Sequence, residues 1–372
     1  MKKLLYIGHS YHNKTKSTQF LKDMLASQYE VDVFSYDPSK EQLSFKQLKK
    51  VKYDIVVLFQ VMPPVSKLKK YLDYEHGVFF PMFDAVPEQD DPRWYEYREF
   101  RIINFSKTVH DKLRALGFDS HYFQYFPKPA DSFEFGDEKS LFFWQRRQEE
   151  IDIRTIEKTI DTDELTHIHI HKATDPNSAF AEPRKKLLPK CSFSTWFENK
   201  EELVALMQRS ALYFAPRKFE GIGMSFLEAM AMGRCVIAPD NPTMNEYISH
   251  HETGFLYDFN NPQRIELQNI SRIQKNTYEY IKQGYQEWEK KKFGLLPLLE
   301  RPLVQNVQRE KFYKPFKITG VKIPFMTVLN FSHKKKYRLF NCVTLFKTVR
   351  KKNTVNFYLF DFILLFSVQK ER

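Results

Sequence analysis

The sequence lacks the features that mark membrane-spanning, secreted or fibrous proteins. It has no run of about 20 consecutive apolar residues, the length that a membrane-spanning helix requires. The apolar stretch from Leu4 to Gly8 is too short for the core of a signal peptide, so we expect none in residues 1–30. Only 11 of 372 residues are glycine, which argues against a fibrous or low-complexity chain, and a hydrophobic content of 42% allows sizeable cores. We therefore expect a cytoplasmic globular protein of two domains and an appendage.

Cysteine is equally scarce. The three cysteines cannot all pair within the chain, and their spacing is not that of a metal site. They are Cys191, Cys235 and Cys342. This pattern favours a reducing compartment.

Net charge is absent from most of the chain. The sequence carries 58 basic and 46 acidic residues, a formal net charge of +12. Residues 311–372 hold 14 of the basic and 2 of the acidic residues, so the rest of the chain has 44 of each and is neutral. A neutral body lacks the basic surface that general nucleic-acid binding requires. We expect no nucleic-acid partner.

The most informative stretch lies between two short apolar runs. Residues 211–215 and 235–238 are apolar and each is followed by a proline, which predicts two strands. Between them, a helical pattern begins near Gly223 and ends at Gly233, where glycine can adopt the left-handed conformation that closes a helix. The order of strand, loop, helix and strand predicts a parallel α/β unit.

One charged residue interrupts the apolar helix of this unit. A buried carboxylate without a partner costs several kcal/mol or more, so Glu228 should face a partner or a polar cleft. Glu220 lies in the loop before the helix, and Gly221 and Gly223 leave backbone amides open to an anion there. Glu228 lies roughly 7–8 Å along the helix from Gly223, about the offset between the diphosphate and the ribose of a nucleotide. The alternative is an interior helix whose glutamate pairs with a neighbouring strand.

The two glutamates resemble the signature of a known enzyme family. They are separated by seven residues that include Gly221-Ile222-Gly223. This pattern is similar to that of the family 4 (group 1) retaining glycosyltransferases, of the bacterial surface-polysaccharide (capsule or lipopolysaccharide) type. The resemblance covers residues 141–258 approximately, and residues 1–130 match more loosely. It implies the GT-B fold, an α/β architecture of two Rossmann-like domains facing a cleft, here followed by a basic, aromatic C-terminal appendage.

The resemblance also implies roles for the residues around the helix start. Glu220 would contact the sugar of a nucleotide-sugar donor, and Glu228 would hold the ribose hydroxyls. The departing diphosphate would lie against the backbone of four residues, which are Gly221, Ile222, Gly223 and Met224.

Cations on two other strands complete the implied donor site. In the family, a glycine and an arginine follow the first strand of the C-terminal domain, and the arginine binds the donor diphosphate. The glycine is missing here, so Arg146 and Arg147 are both candidates, and guanidinium geometry suits phosphate. Lys172, which follows the predicted strand 167–171, is a further candidate. The resemblance implies no metal ion and no other cofactor.

Two features are open to more than one interpretation. Asp84 follows the predicted strand 77–82 where many family members have a histidine, so we assign it to the catalytic acceptor side, with a helix cap or a turn as the alternative. Three histidines alternate in residues 167–171, a spacing that can bind a metal. Because the resembled family needs no metal, we do not assign a metal site there.

The chain divides into four predicted segments. Residues 1–130 alternate strands with helices, which predicts a Rossmann-like domain on the acceptor side. Residues 131–140 are the expected linker, and residues 141–300 the nucleotide-sugar-binding domain. Since ligands bind beyond the carboxyl ends of parallel strands, the loops after Gly8, Phe59 and Met82 should face the cleft.

Residues 301–372 contain a degenerate repeat that starts near residues 318, 339 and 359. Apolar and aromatic units alternate with basic clusters at residues 334–336 and 350–352, and such tails resemble those of bacterial surface-polysaccharide glycosyltransferases. Insertable aromatics beside cations suit an anionic membrane surface, so we predict membrane contact through residues 311–372. The alternative is a small β appendage packed on the body. Both interpretations hold if short hairpins in this segment present one apolar face.

These patterns lead to one principal hypothesis. The protein is predicted to move a sugar from a nucleotide-sugar donor to a glycan or lipid-linked acceptor with retention, in cell-surface polysaccharide assembly. It would act in the cytoplasm, on the inner face of a bacterial cell membrane. The alternatives are a non-catalytic glycan- or lipid-binding scaffold on the same fold and a sugar-nucleotide epimerase.

Overall fold

The computed structural model describes residues 1–37, 48, 51–86, 91–197, 199–318, 321–331, 333–351 and 354–369. Three six-stranded sheets organise them. The first sheet has the order β2-β1-β3-β4-β5-β6, and all its strand pairs are parallel. Its strands are β1 (Lys2–His9), β2 (Tyr29–Tyr36), β3 (Lys52–Phe59), β4 (Asp73–Phe80), β5 (Phe100–Asn104) and β6 (Ser120–Tyr122). The helices that accompany it are α1 (Tyr11–Thr15), α2 (Gln19–Ala26), α3 (Val65–Tyr71), α4 (Arg93–Glu96) and α5 (Lys107–Ala115).

The second sheet is also parallel and has the order β12-β11-β10-β7-β8-β9. Its strands are β7 (Asp137–Trp144), β8 (His167–His171), β9 (Cys191–Ser194), β10 (Ser210–Phe214), β11 (Cys235–Pro239) and β12 (Gly254–Tyr257). The helices of this domain are α6 (Ile153–Thr159), α7 (Lys200–Arg209), α8 (Met224–Ala231) and α9 (Ile270–Lys291). Two Rossmann-like domains are thus confirmed.

Helix α8 is the predicted apolar helix, and glycines bound it at both ends. Gly223 and Gly233 have φ angles of 86° and 73°, in the left-handed region that favours glycine. A Cβ atom at Gly223 would lie 1.9 Å from a ring carbon of Phe226, so a larger residue does not fit there. The first turn of α8 is therefore held against the loop that carries Glu220.

After α9, the chain crosses back to the first domain. A 3-10 segment, Lys292–Leu299, leads into this crossing. The Arg101 guanidinium donates hydrogen bonds to the backbone oxygens of Arg301 and Pro302, at 2.9 and 2.7 Å. Phe312 is fully buried in the core of the first domain, where its ring packs beside that of Phe118. The last segment before the third sheet is therefore an integral part of the first domain.

The third sheet is antiparallel, with its strands paired in chain order. Its strands are β13 (Tyr313–Ile318), β14 (Val321–Asn330), β15 (Lys334–Leu339), β16 (Val343–Arg350), β17 (Thr354–Leu359) and β18 (Ile363–Gln369). The repeat forms hairpins with positive φ at equivalent turn residues, as at Phe340 and Phe360. Residues 319–320 of the first repeat and Lys352 lie outside the described residues.

Among the described residues, no helix combines the length and the apolar character that crossing a bilayer requires.

Candidate active site

A cavity of about 700 Å³ lies between the carboxyl ends of the two parallel sheets. The first domain lines it with the loop after β1, the end of β3 and the segment after β4. The second domain lines it with the segments after β7, β8 and β10 and with helix α8. A ligand in this cavity would therefore touch both domains, as expected for parallel sheets that bind ligands beyond their strand ends.

Most of the residues predicted from the sequence line this cavity. They are Asp84, Arg146, Arg147, Glu220, Gly221, Ile222, Gly223, Met224 and Glu228. Residues from both domains, on three separate loops and helix α8, thus meet at one place, and their functional roles stay predictions.

Lys172 is the exception, because it does not line the cavity, and its role in donor binding also stays a prediction. Its amine lies 4.3 Å and 4.0 Å from the ring centroids of Phe180 and Phe193, and 3.5 Å from a carboxylate oxygen of Glu182. Lys172 is not among the residues that line the cavity. Cation–π contacts with these two rings hold the amine beside Phe193 of β9.

The cavity instead contains an arginine that the sequence analysis did not single out. Arg217 follows β10, is 6% exposed and lines the cavity. Its guanidinium lies 3.0 Å from a Glu150 oxygen, 3.8 Å from Asp175 and 3.9 Å from Asp84. Its position three residues before Glu220 could have suggested it, but a lone arginine in a loop is more often a surface residue.

Two more arginines share these carboxylates. Arg146 lies 3.0 Å from Asp175, and Arg147 lies 2.8 Å from Asp175 and 3.1 Å from Glu150. Burial alone would lower the pKa of Arg146. The nearby carboxylates of Glu220 and Asp175 together have a larger opposite effect, so the pKa is raised. Arg146 therefore remains charged and is electrostatically coupled to Glu220, whereas the more exposed Arg147 lies nearer the rim.

Glu220 lies in the interior of the cavity wall. It is 6% exposed, and its Oε1 has no hydrogen-bond partner among the described residues. Burial raises the pKa of Glu220 to about 7, although Arg146 and Arg217 oppose this rise. A carboxyl with this pKa can be protonated or ionised close to neutral pH.

Asp84 approaches Glu220 from the first domain. It lies in a single 3-10 turn, Phe83–Ala85, after β4. Its Oδ1 lies 2.9 Å from the position that a Cβ atom of Gly221 would occupy, so a side chain there would collide with it. Burial raises the pKa of Asp84, and the Arg217 guanidinium opposes this shift. Glycine at position 221 therefore allows a first-domain carboxyl to reach the loop before α8.

The far end of the cavity is aromatic. The ring of His171 stacks on that of Phe197, with centroids 5.5 Å apart and an angle of 6° between the ring planes. The centroid of the Trp144 ring lies 5.2 Å from that of His171. All three residues line the cavity. Such a surface suits the flat face of an aromatic ligand.

The three alternating histidines of β8 form a hydrogen-bonded ladder with serines. Ser192 lies 2.8 Å from nitrogens of both His167 and His169, and Ser194 lies 2.8 Å from nitrogens of both His169 and His171. Burial lowers the pKa of His169 and of His171 to about 4, so both rings are neutral at physiological pH. Serine hydroxyls thus occupy ring nitrogens that a metal would need.

Glu246 connects the two domains beside the cavity. It lies in a 3-10 turn after β11, and its carboxylate accepts hydrogen bonds from the Ser106 hydroxyl and from the backbone N–H groups of Lys107 and Thr108. The distances are 2.9, 2.7 and 2.9 Å. A carboxylate of the second domain therefore caps the N-terminus of α5 in the first, where the helix dipole favours negative charge.

We expect Glu246→Ala to destabilise the protein, because three donors at a helix N-terminus lose their acceptor. The free energy of unfolding should fall by about 1–2 kcal/mol. Urea denaturation measures the change. The matched control is Glu252→Ala, since Glu252 is exposed and makes a surface ion pair at 3.7 Å with Arg272, worth less than about 1 kcal/mol. Equal losses in the two variants would contradict the proposed domain contact.

Part of the chain is similar in sequence to a known protein family. Residues 177–286, which include Glu220, α8 and Glu246, match the family described as glycosyl transferases group 1. This part of the chain is therefore similar to a group 1 glycosyltransferase domain. No curated protein sequence matches the chain significantly.

Solved structures share the fold of the chain and extend the likeness to the first domain. HepE from Anabaena, in complex with UDP and glucose, is 12% identical, with 80% of this chain and 100% of that chain covered and a TM-score of 0.53. Sucrose-phosphate synthase from Thermosynechococcus elongatus is 14% identical, with 80% and 98% covered and a TM-score of 0.57. The architecture is therefore GT-B, with two Rossmann-like domains that face a cleft and an additional antiparallel sheet.

Proposed function

We propose that the protein is a retaining glycosyltransferase that uses a nucleotide-sugar donor. The observation that carries this proposal is the meeting of Glu220, Glu228 and Arg146 in one cavity at the N-terminus of α8. Both glutamates lie in residues 177–286, which match the group 1 glycosyltransferase family. HepE was crystallised with UDP and with UDP-glucose. A UDP-sugar is accordingly the first donor to test.

The cavity has a suitable group for each part of such a donor. The N–H groups in the first turn of α8 and the guanidinium of Arg146 would bind the diphosphate. Glu228, one to two turns along the helix, would accept hydrogen bonds from the ribose hydroxyls. The aromatic end of the cavity, with Trp144 and Phe197, would hold the base.

Catalysis would rest on positioning and on electrostatic stabilisation of the leaving diphosphate. Glu220 would contact the donor sugar, and Asp84 would lie on the acceptor side. The departing phosphate would take the proton of the acceptor hydroxyl, so that no separate general base is needed. We propose no metal cofactor, because guanidinium groups and helix amides supply the positive charge.

The third sheet supports the further proposal of a membrane-bound acceptor. Strand register places Phe346, Phe357 and Phe366 on one face, and we call these three residues the aromatic face. Phe346 and Phe366 are 47% and 53% exposed. The same register places the exposed Lys335 and Arg350 at the margin of this face. Aromatics with a basic rim suit the surface of an anionic membrane.

We therefore propose that the protein acts in the cytoplasm, on the inner face of a bacterial membrane, in assembly of a cell-surface polysaccharide. The acceptor would be a glycan or a lipid-linked saccharide. Membrane attachment through residues 311–372 would bring the cleft close to such an acceptor.

Nucleotide binding tests the donor assignment. At least one nucleoside diphosphate in a panel should raise the melting temperature of the protein, because binding stabilises the folded state by mass action. UDP is the one that we expect to do so first. Glu228→Gln should weaken that nucleotide about ten- to a hundredfold in calorimetry, since a charged hydrogen bond contributes about 1.5–3 kcal/mol.

The control for this measurement is Glu149→Gln. Glu149 is exposed, lies outside the cavity lining and accepts a hydrogen bond from Ser178 at 2.9 Å. The Glu149→Gln variant should bind the nucleotide with the same affinity as the unmodified protein. The donor assignment would be abandoned if no nucleotide in the panel bound, and the role of Glu228 if its variant bound as tightly as the control.

A further inference from the structure

The charged groups around Glu220 do not balance. Three guanidinium groups, those of Arg146, Arg147 and Arg217, contact or face four carboxyl groups. The four carboxyl groups are those of Asp84, Glu150, Asp175 and Glu220. If all seven groups were ionised, the cluster would hold one uncompensated negative charge in a largely buried place. Proteins avoid an uncompensated buried charge by neutralising one group.

The excess charge falls on Asp84 and Glu220. Asp175 and Glu150 each have arginine partners within 3.1 Å. Asp84, by contrast, forms only a long ion pair, in which its carboxylate lies 3.9 Å from Arg217. Its Oδ1 has no hydrogen-bond partner among the described residues. The Oε1 of Glu220 is likewise without a partner in the described part of the chain. Both of these unpartnered oxygens belong to carboxyls beside Gly221, because Glu220 precedes it in the chain and Asp84 Oδ1 lies 2.9 Å from the position of a Cβ atom there.

We propose that Asp84 and Glu220 share one protonation site, and that binding of a nucleoside diphosphate favours its protonated form, so that a pair that has lost the proton takes one up from solvent. This inference rests on the proposed function, because it needs the diphosphate to lie at the N-terminus of α8. A diphosphate brings at least two negative charges beside the pair, so the protonated pair binds it better. The proton is taken up from water and no covalent bond changes. The protonated carboxyl then has an O–H that can donate a hydrogen bond to the ligand, which an ionised carboxylate cannot do.

Charged groups on every neighbouring segment affect this equilibrium. Arg146 and Arg217 favour the ionised form of Glu220, whereas Asp84 and Asp175 favour its protonated form. Tyr213 on β10 also interacts with Glu220. The cavity lining adds further titratable groups, which are His9, Tyr11, His12, Lys16, Arg147, His171 and Glu228. Burial is the largest influence and raises the pKa of Glu220 to about 7. A further rise of this pKa on ligand binding would therefore fall in a pH range in which binding can be measured.

The direction of the pH dependence follows. Binding favours the protonated pair, so its pKa rises in the complex. The contribution of this pair to the affinity should be insensitive to pH below about 7 and should fall by up to about tenfold per pH unit above it, until the pKa of the complex is reached.

Calorimetry with UDP tests this proposal. Titrations at pH 8 in two buffers with different ionisation enthalpies report proton exchange, and the unmodified protein should take up roughly half to one proton per UDP. Glu220→Gln, which is neutral at every pH, should remove most of the uptake and make the affinity nearly independent of pH between 7 and 9. Asp84→Asn provides a second variant with the same expectation, in case one of them does not fold. Glu149→Gln should behave as the unmodified protein.

The outcomes separate the two proposals. UDP binding without proton uptake would overturn the shared proton and leave the proposed function intact. Uptake that persists in both Glu220→Gln and Asp84→Asn would also overturn it, because the proton would then reside on the terminal phosphate of UDP or on another group. Failure of UDP and of every other nucleotide to bind would overturn the proposed function and this inference together.

Discussion

Glu220→Ala is expected to lower the rate of sugar transfer by about 10²–10³-fold, the usual effect of removing one preorganised electrostatic contact to a transition state. Glu220 is held in place by the strand and helix on either side of its loop, and its Oε1 is unsatisfied among the described residues. A group that is buried, oriented and unsatisfied has been positioned for a ligand at a cost in stability. The loss should appear in kcat more than in the dissociation constant for the nucleotide.

The same substitution should change stability little. Arg146 and Arg217 keep their ion pairs with Asp175 and Glu150, at 3.0 Å in each case, so no buried charge loses its only partner. Glu149→Ala is the matched control and should retain full activity. Steady-state kinetics with the donor identified by nucleotide binding give both constants. Retention of the unmodified kcat in Glu220→Ala would refute contact between Glu220 and the sugar.

Removal of residues 314–372 should leave a folded protein that no longer binds anionic vesicles. This deletion removes the third sheet beyond Tyr313, and with it almost all of the basic surplus of residues 311–372. Each basic residue near an anionic surface contributes about 1 kcal/mol, and the aromatic face adds apolar burial. Co-sedimentation with vesicles that contain anionic lipid should fall to background. It should also weaken with salt, because exposed charges are screened within about 10 Å at 0.1 M.

The site of the truncation matters because of Phe312. Its ring is fully buried among residues of the first domain, including Tyr95 and Phe118. A deletion that begins at residue 311 removes this ring, and loss of a buried phenylalanine typically costs about 3–5 kcal/mol. Truncation after Tyr313 therefore separates membrane binding from folding.

A pair of substitutions distinguishes insertion from simple charge attraction. The double variant Phe346→Ser with Phe366→Ser removes the exposed part of the aromatic face and keeps every lysine. If the aromatic rings insert into the membrane, this variant should first lose the vesicle binding that persists at high salt. Phe293→Ser is the control, since Phe293 is 52% exposed on the body of the protein. Equal sedimentation of the truncated and full-length proteins would eliminate the membrane role, and unfolding of the truncated form would favour a purely structural appendage.

Local patterns were sufficient for the architecture and for the centre of the site. Alternation of apolar runs with a helical pattern predicted the unit of β10, α8 and β11, and glycines predicted both ends of α8. These features depend on residues a few positions apart, because helix periodicity and left-handed glycine conformations are local properties of the backbone. The placement of Glu220 and Glu228 at the carboxyl end of a parallel sheet followed from the same pattern.

Only the tertiary structure decided which charged groups meet. Arg217 finds Asp84 and Glu150 at separations of 133 and 67 positions along the chain, and no local pattern reports such pairs. Lys172 follows its strand as predicted, but its amine packs against Phe180 and Phe193, and the residue does not line the cavity. The energy of an ion pair or a cation–π contact depends on distance and burial, which the fold sets, whereas the sequence alone determines only which side chains are available.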